Sequence, residues 1–360
     1  MLVSASTIFP VTFAANYGPS YGPSAITTSS GLKAALQWLA LNQSSDGSYG
    51  AYFEHWAAAA AYALWLNNTH SSKAALSYSW LTKQLSDPSW GYWGSEADVP
   101  GEVLFSVASS GNIHLLQISN VARNILQFQE SNGGFFGYYS TTSLTSSVDT
   151  AEALRGLINA RAINASSEQL AVNYLFTLQN LDGSFNLTSA IPYAKDYSLG
   201  PEPVSITALV LLALNDASYR SNDAHVSKAL NYLSNASTKN FAVLANDTNP
   251  VYSASLSALA FNAFGRTSES LRAVSFILSH QDPDGGFRDS TSSSTGSNAL
   301  YTGWAAIALQ QVSPGGFFAS FLRPVLIVGI MIGVLALAAI VGVVVYLVRK
   351  NRSKAMMPNI

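Results

Sequence analysis

The sequence contains no cysteine, and this absence excludes several kinds of chemistry at once. Disulfides, thiolate metal sites, cysteine nucleophiles and internal thioesters all need a sulfur atom that the chain lacks. Charged residues are also scarce, at 11% of the 360 residues, against about 25% in typical soluble domains. The surface must therefore consist largely of Ser, Thr, Asn and Gln. Because the net charge is −2 and the body of the chain carries no Lys/Arg cluster, nucleic-acid binding is not expected.

One long stretch near the C-terminus lacks charge altogether. Residues 324–348 are uncharged and exceed the roughly 20 apolar residues that a helix needs to cross a bilayer. Arg349, Lys350, Arg352 and Lys354 follow at once. Because basic residues favour the cytoplasmic side, the sequence predicts a single-pass transmembrane helix in the cell membrane, with residues 349–360 as a cytoplasmic tail and the preceding chain outside.

The N-terminal region also bears on export. Residues 1–15 are apolar and end in a plausible cleavage region, but they lack the positive start of a secretory signal, so either a cleaved signal or an extended arm fits them. Residues 16–30 are predicted to be a linker, because they are rich in Gly, Pro and Ser. Glycosylation acceptors, which favour an extracellular glycoprotein, occur at Asn42, Asn67, Asn164, Asn186, Asn235 and Asn246.

Between residues 31 and 312 one seven-residue motif recurs, and each copy separates two apolar helical runs. The copies are Gln43–Tyr49, Gln129–Phe135, Gln179–Phe185 and Gln281–Phe287, with a degenerate copy at Gln84–Trp90 and an eroded one expected near Tyr232–Asn235. A period of roughly 40–50 residues containing two helices indicates a repeat architecture. The second helix of each unit is rich in alanine, which predicts an inner layer of closely packed helices. Six such hairpins can close into a ring, although an open array would give much the same sequence.

This repeat resembles that of the terpenoid cyclase and protein prenyltransferase superfamily, which includes the squalene cyclases. The resemblance covers about residues 31–312. It rests on an outer helix ending in Gln, a turn of the form Asp/Asn-Gly-Gly/Ser-Phe/Tyr, and an Ala-rich inner helix. It implies an all-α fold, an (α/α)6 toroid of six helical hairpins, followed here by the single transmembrane helix. It implies less about activity, because such toroids serve as cyclases, prenyltransferases, complement-type thioester domains and vitamin B12 carriers.

In this superfamily the chemistry lies where the inner helices begin, around the mouth of a central cavity. Matching those positions gives the candidate lining residues His55, Trp56, Asp98, Glu102, Asp149, Thr150, Thr207, Tyr252, Tyr301 and Trp304. The segment from Ser146 to Ala151 resembles the Asp-x-Asp-Asp-Thr-Ala motif of squalene-type cyclases. However, Val148 stands at the proton-donor position, so proton-initiated cyclisation by this motif is not expected. Asp149 is interpreted as the N-cap of its helix, paired with Glu152, with a ligand-binding role as the alternative.

The missing cysteine also argues against the metal and thioester chemistry of related families. The zinc site of protein prenyltransferases needs Cys beside Asp and His, and the thioester domains need a Cys-Gly-Glu-Gln turn; this chain has neither. A substitute metal site of His, Asp and Glu stays open in principle, but no metal or cofactor is expected. Of the histidines, His55 alone lies near an inner-helix start, and a surface position is the favoured interpretation. Asp282 and Asp284 have a spacing that calcium could use, but no further ligand spacing supports an ion loop.

Three functions remain compatible with the sequence. The favoured one is a membrane-anchored extracellular module without catalysis that binds an isoprenoid, lipid or glycan in its cavity, or a partner on its surface. The alternative is an isoprenoid-processing enzyme that uses Asp98, Glu102 or Asp149. The third is a structural component of the cell envelope. Acids clustered within about 6 Å, with a raised pKa, would favour the enzyme. A wide mouth without such acids would favour a binding module. A cavity filled by side chains would favour a structural role.

Overall fold

The computed structural model describes residues 28–50, 54–86, 96–137, 144–191, 202–242, 250–288 and 296–312, which form α-helices joined by short turns. The helices are α1 (Thr28–Leu41), α2 (Glu54–Asn67), α3 (Ser72–Ser86), α4 (Asp98–Ser109), α5 (Ile118–Leu126), α6 (Ser147–Asn159), α7 (Ala165–Thr177), α8 (Pro203–Asp216), α9 (Ala224–Ser237), α10 (Pro250–Ala263), α11 (Thr267–Ser279) and α12 (Ala299–Val312). Because α1 already begins at Thr28, the predicted linker is too long at its C-terminal end.

The even-numbered helices form a closed inner ring. Each packs against the next, and α12 packs against α2, while the odd-numbered helices lie outside them. Small residues permit these close approaches: a Cβ atom added to Gly303 of α12 would lie 2.8 Å from the backbone carbon of Ala59 in α2. The inner helices are enclosed on nearly all sides, as in α8, where every residue from Val204 to Leu214 is buried. The predicted ring of six hairpins is therefore confirmed, and the open array is excluded.

The glutamine of the motif joins successive outer helices. Gln179 donates from Nε2 to the carbonyl oxygen of Gly183 in its own turn (3.3 Å) and to that of His225 at the start of α9 (2.9 Å). Equivalent bonds from the other copies reach the carbonyl oxygens of Lys73, Ser167 and Gly31. The last bond runs from Gln281 to α1, so the motif also closes the outer layer of the ring.

The motif's aromatic residue anchors the turn in the core. Phe185 is buried, and its backbone N–H donates to Oγ1 of Thr207 on the inner helix α8 at 3.1 Å. Phe135 and Thr150 form the same bond at 2.9 Å. Thr150 and Thr207 thus hold the turns in place. Their predicted position in the cavity lining is wrong, because a hydroxyl that satisfies a buried backbone donor is not available to a ligand.

Two local features differ from the sequence-based expectation. A short antiparallel pair, β1 (Phe135–Gly137) and β2 (Leu144–Ser146), precedes α6 within the otherwise helical fold. The eroded motif copy lies at residues 235–241, downstream of the predicted place: Phe241 is buried as the motif aromatic and has a positive φ of 61°. Apolar periodicity alone located the helix preceding that turn but not the turn itself.

Asp282 and Asp284 have structural partners. Asp282 accepts from Nε of Arg288 at 2.8 Å, and Asp284 accepts from Nε1 of Trp38 in α1 at 3.0 Å. Ser297 donates to both carboxylates. Asp282 and Asp284 therefore help to close the ring, and this role replaces the calcium alternative.

The predicted membrane and signal segments are not part of this description. Residues 1–15, the linker up to residue 27, residues 324–348 and the tail 349–360 lie outside the described residues. Within the described ranges, no helix combines the length and apolar character that a bilayer crossing requires.

Two glycine substitutions test whether each turn is pressed against the next outer helix. A Cβ atom at Gly183 (φ +95°) would lie 2.2 Å from the carbonyl oxygen of Lys228, whereas one at Gly265 (φ +74°) would meet nothing within 4 Å. Gly265→Ala is expected to lose about 1–2 kcal/mol of unfolding free energy through backbone strain alone. Gly183→Ala should lose more than 3 kcal/mol, because overpacking adds to that strain. Urea unfolding measures both; equal losses would contradict the close contact.

Candidate functional site

Carboxylates from α4 and α6 converge where these two inner helices begin. Asp98 and Glu102 lie one turn apart on α4, and Asp149 and Glu152 lie one turn apart on α6. Asp98 is half-buried, whereas Glu102, Asp149 and Glu152 are buried. A Cβ atom at Gly101 would lie 2.5 Å from the backbone carbon of Glu152, so the helix axes come unusually close at this point. We call these residues the acid cluster.

Burial and mutual repulsion favour the protonated forms of the acid cluster. Burial raises the pKa of Asp98 to about 6 and that of Glu152 to about 7. Burial also raises the pKa of Glu102 well above its ordinary value, and the charge of Glu152 adds to the effect. The pKa of Asp149 rises well above its ordinary value too, through burial and the charge of Asp98. At neutral pH Asp98 is therefore largely ionised and Glu152 partly so, whereas the raised pKa values of Glu102 and Asp149 favour their neutral forms.

Asp149 has a different place from the one predicted. Ser146 is the N-cap of α6, since its Oγ accepts the backbone N–H of Asp149 at 3.0 Å. The Ser146 hydroxyl also donates to the Asp149 carboxylate. Asp149 lies behind β1, because a Cβ atom at Gly137 would overlap its carboxylate. Asp149 is thus enclosed, so it does not contact a ligand, and the nearby charge of Asp98 helps to raise its pKa.

Arg155 of α6 occupies the centre of the ring. Its Nε donates to Asp216 of α8 at 3.2 Å, and its Nη1 lies 3.8 Å from Oε2 of Glu152. The guanidinium carbon stands 3.9 Å from the ring centroid of Phe105 and 5.8 Å from that of Trp304. The sequence analysis did not predict Arg155 as a site residue, although a single arginine within an Ala- and Leu-rich inner helix was a usable signal. Through these contacts Arg155 links α6 to α4, α8 and α12 next to the acid cluster.

Aromatic residues border the acids on the opposite side of the ring. Nε1 of Trp304 donates to Oε1 of Glu102 at 3.1 Å across the ring. Tyr252 of α10 is half-buried and packs edge-to-face against Tyr301, with the ring centroids 6.0 Å apart. Burial, with Glu102 nearby, raises the pKa of Tyr252 well above its ordinary value. The structure therefore brings together Asp98, Glu102, Tyr252, Tyr301 and Trp304 of the predicted lining residues.

His55 and Trp56 lie at the start of α2, also half-buried, with their rings edge-to-face at 6.5 Å. Burial lowers the pKa of His55 to about 4, so its imidazole is neutral at physiological pH. The expectation of a surface histidine is therefore wrong. In the part of the chain that the structure describes, no group of three or more His, Asp or Glu residues is arranged to bind a metal ion.

Comparisons with known proteins identify the fold. The family model of the A-macroglobulin TED domain matches residues 104–272. A protein from Actinoplanes has a TM-score of 0.56 at 15% identity, covering 80% of this chain and 100% of its own. The type II terpene cyclase MstE from Scytonema gives 0.54 at 11%, covering 80% and 99%. An alpha-amylase from Clostridium perfringens gives 0.57 at 12%, covering 78% and 97%.

The chain has the fold of an α/α toroid. The solved structures are matched over almost their full length, but at these identities the likeness concerns the fold alone. No curated protein sequence matches the chain significantly. The TED match covers less than half of the chain, and with no cysteine the toroid cannot form a thioester.

Replacing Asp98 tests the electrostatics of the acid cluster. The folded-state pKa is raised from 3.8 to about 6, so the folded form binds this proton more tightly and loses relative stability as pH rises from about 4 through 6. Asp98→Asn, which mimics the neutral form, should therefore be more stable than the native chain at pH 7 by about 2–3 kcal/mol. Below pH 4 the gain should vanish.

Denaturant unfolding between pH 4 and 8 measures this gain. Glu130→Gln is the control, because Glu130 is exposed and its replacement removes the same charge. A loss of stability at pH 7 in Asp98→Asn, larger than in the control, would show that the ionised carboxylate is favourably held and would contradict the account.

Proposed function

We propose that this toroid is an isoprenoid-processing enzyme that performs acid–base chemistry on a neutral, largely apolar ligand. The observation that carries the proposal is the acid cluster, whose buried carboxylic acids have raised pKa values at the start of the inner helices. Acids with perturbed pKa values that cluster at one place are typical of catalytic sites. This arrangement favours the enzyme over a binding module, for which a mouth without clustered acids was expected.

Glu102 is the proposed general acid. Its raised pKa keeps it protonated at neutral pH, and Oε1 already accepts from Trp304. The acidic proton therefore belongs on Oε2, from which it can be donated to a ligand. Trp304 fixes the side chain in that orientation, as a general acid requires.

Asp98 is the proposed general base. It lies one turn before Glu102 on the same face of α4 and is the more accessible of the two. With a pKa of about 6, it is ionised at neutral pH while Glu102 is not. Two carboxyl groups whose environments separate their pKa values divide the acid and base roles between them.

The proposed reaction conserves the composition of the substrate. Glu102 gives its proton to a carbon–carbon double bond, which leaves a carbocation and the Glu102 carboxylate. Asp98 then removes a proton from a carbon next to the final cationic centre, and a new double bond forms. Passage of that proton from Asp98 to Glu102 restores the site. The faces of Trp56 and Tyr252 can stabilise the intermediate cation.

The charge of the site supports a neutral substrate. The ionised carboxylate of Asp98 repels phosphate, and Arg155 is already paired with Glu152 and Asp216. Diphosphate-bearing substrates are thus disfavoured. Support for an isoprenoid comes from the terpene cyclase MstE, which has been observed with geranylgeranyl dihydroxybenzoate as its substrate in a fold of this type. The second candidate is non-catalytic binding of such a ligand, which the loss of the cyclase acid at Val148 favours.

The catalytic and binding alternatives are separated by deuterium incorporation. The full-length chain, equilibrated in D2O, is incubated with squalene or geranylgeraniol, and the products are analysed by mass spectrometry. A new product carrying one deuteron for each protonation is expected. Glu102→Gln and Asp98→Asn should lower its rate by about 10²–10⁴-fold, as for lost general acids and bases.

Glu130→Gln should leave the rate unchanged. If the native chain and Glu102→Gln instead bind an isoprenoid equally well, with no conversion in either, that result would contradict the enzymatic proposal and favour a binding module.

We further propose that the toroid is anchored outside the cell by residues 324–348. The uncharged run and the basic residues after it support this topology. The acceptors Asn42, Asn67 and Asn235 are exposed, as an extracellular glycoprotein would require, whereas Asn186 is partly buried and its amide bonds to Asn180 at 2.8–3.2 Å.

Glycan mapping of the native membrane protein tests this topology. If the toroid is extracellular and glycosylated, Asn42, Asn67 and Asn235 should be modified, and Asn186 should not, because its side chain is held in the folded turn. Sugar on Asn186 but not on the exposed acceptors would contradict the prediction. Protection of the toroid from protease added outside intact cells would contradict the topology.

A further inference from the structure

A second concave site lies on the outer layer of the toroid. A cavity of about 630 Å³ opens between α5 and the turn that follows α6. Its apolar lining includes Ile118, Ala122, Leu126 and Ala162, and its charged lining consists of Arg123 and Arg161. We call this site the arginine groove.

The charge of the arginine groove is unbalanced. Both arginines are exposed, the lining contains no carboxylate, and neither arginine forms a salt bridge with any residue that the structure describes. The whole chain, in contrast, carries a net charge of −2. Two unpaired guanidinium groups beside an apolar surface match a ligand with an anionic head and an apolar body.

The backbone at Arg161 is strained, and the other repeats show what relieves the strain. Arg161 follows the end of α6 with φ +55°. The corresponding left-handed positions after α4 and α10 are Gly111 and Gly265, both at φ +74°, and after α8 the residue is Ser218 at φ +68°. Glycine adopts this conformation freely, whereas arginine does so at a cost. A strained residue whose side chain lines a cavity suggests a functional role for that side chain.

We propose that the arginine groove binds a small anionic amphiphile, namely a carboxylate or phosphate monoester with a short apolar chain. The headgroup contacts Arg123 and Arg161, and the chain lies along Ile118, Ala122 and Leu126. This ligand class differs from the neutral ligand proposed for the acid cluster. The two sites lie on different layers of the toroid, so either can fail independently of the other.

Calorimetric titration of octyl phosphate tests the groove in the full-length chain, held in nanodiscs of neutral phosphatidylcholine. Arg123→Gln and Arg161→Gly should each weaken binding at least tenfold. Arg161→Gly should at the same time raise the melting temperature, because it relieves the left-handed strain; a merely unfolded variant cannot combine these results. Arg220→Gln, an exposed substitution outside the groove, is the control and should bind as the native chain does.

Two further arms identify the ligand and its source. Inorganic phosphate and octanol should each bind at least tenfold more weakly than octyl phosphate, because each lacks one half of the amphiphile. In nanodiscs containing phosphatidylglycerol, competition with octyl phosphate would show that the groove binds a bilayer headgroup. Unchanged affinity for octyl phosphate would show that it binds a free amphiphile. Both results support an anion-binding groove. Equal affinity in the native chain and the arginine variants, or tighter binding of a polyglutamate peptide, would overturn the proposal.

Discussion

The acid cluster depends on the contact between α4 and α6. Gly101 and Gly156 stand face to face there, and a Cβ atom on Gly156 would lie 2.3 Å from the carbonyl oxygen of Gly101. Because no side chain separates the two backbones, the carboxylates on either side are held close together. Larger residues would force the helices apart and let the carboxylates be solvated independently. The raised pKa values thus follow from helix packing.

Holding these acids together lowers the stability of the folded chain. The ring tolerates this loss because many other contacts hold its helices in place. The motif glutamines join four pairs of successive outer helices, and the last of these bonds ties Gln281 to Gly31. In three of the turns the backbone N–H of the buried motif aromatic donates to a threonine of an inner helix, as at Thr207. Closure means that every inner helix has two neighbours. A rigid ring of this kind can keep a locally unfavourable, preorganised site in place, as functional sites commonly require.

Sequence predicted the fold more fully than the site. The repeated Gln and turn glycines specify the hairpins because they act locally, between a turn and the next helix. The acid cluster arises from residues about fifty positions apart in different repeats, and the spacing of Glu102 and Glu152 does not reveal their electrostatic interaction. Arg155 was missed for the same reason. Thr150 was assigned to the cavity because position along an inner helix does not define which way a side chain points.

The central claim is that Glu102 is protonated at neutral pH inside the folded ring. Infrared difference spectroscopy of the native chain against Glu102→Gln, at pH 7, tests it most directly. The account predicts that the substitution removes the C=O stretch of a neutral carboxylic acid. Loss of the carboxylate bands instead would show that Glu102 is ionised, and it would contradict the assignment of this residue as a general acid.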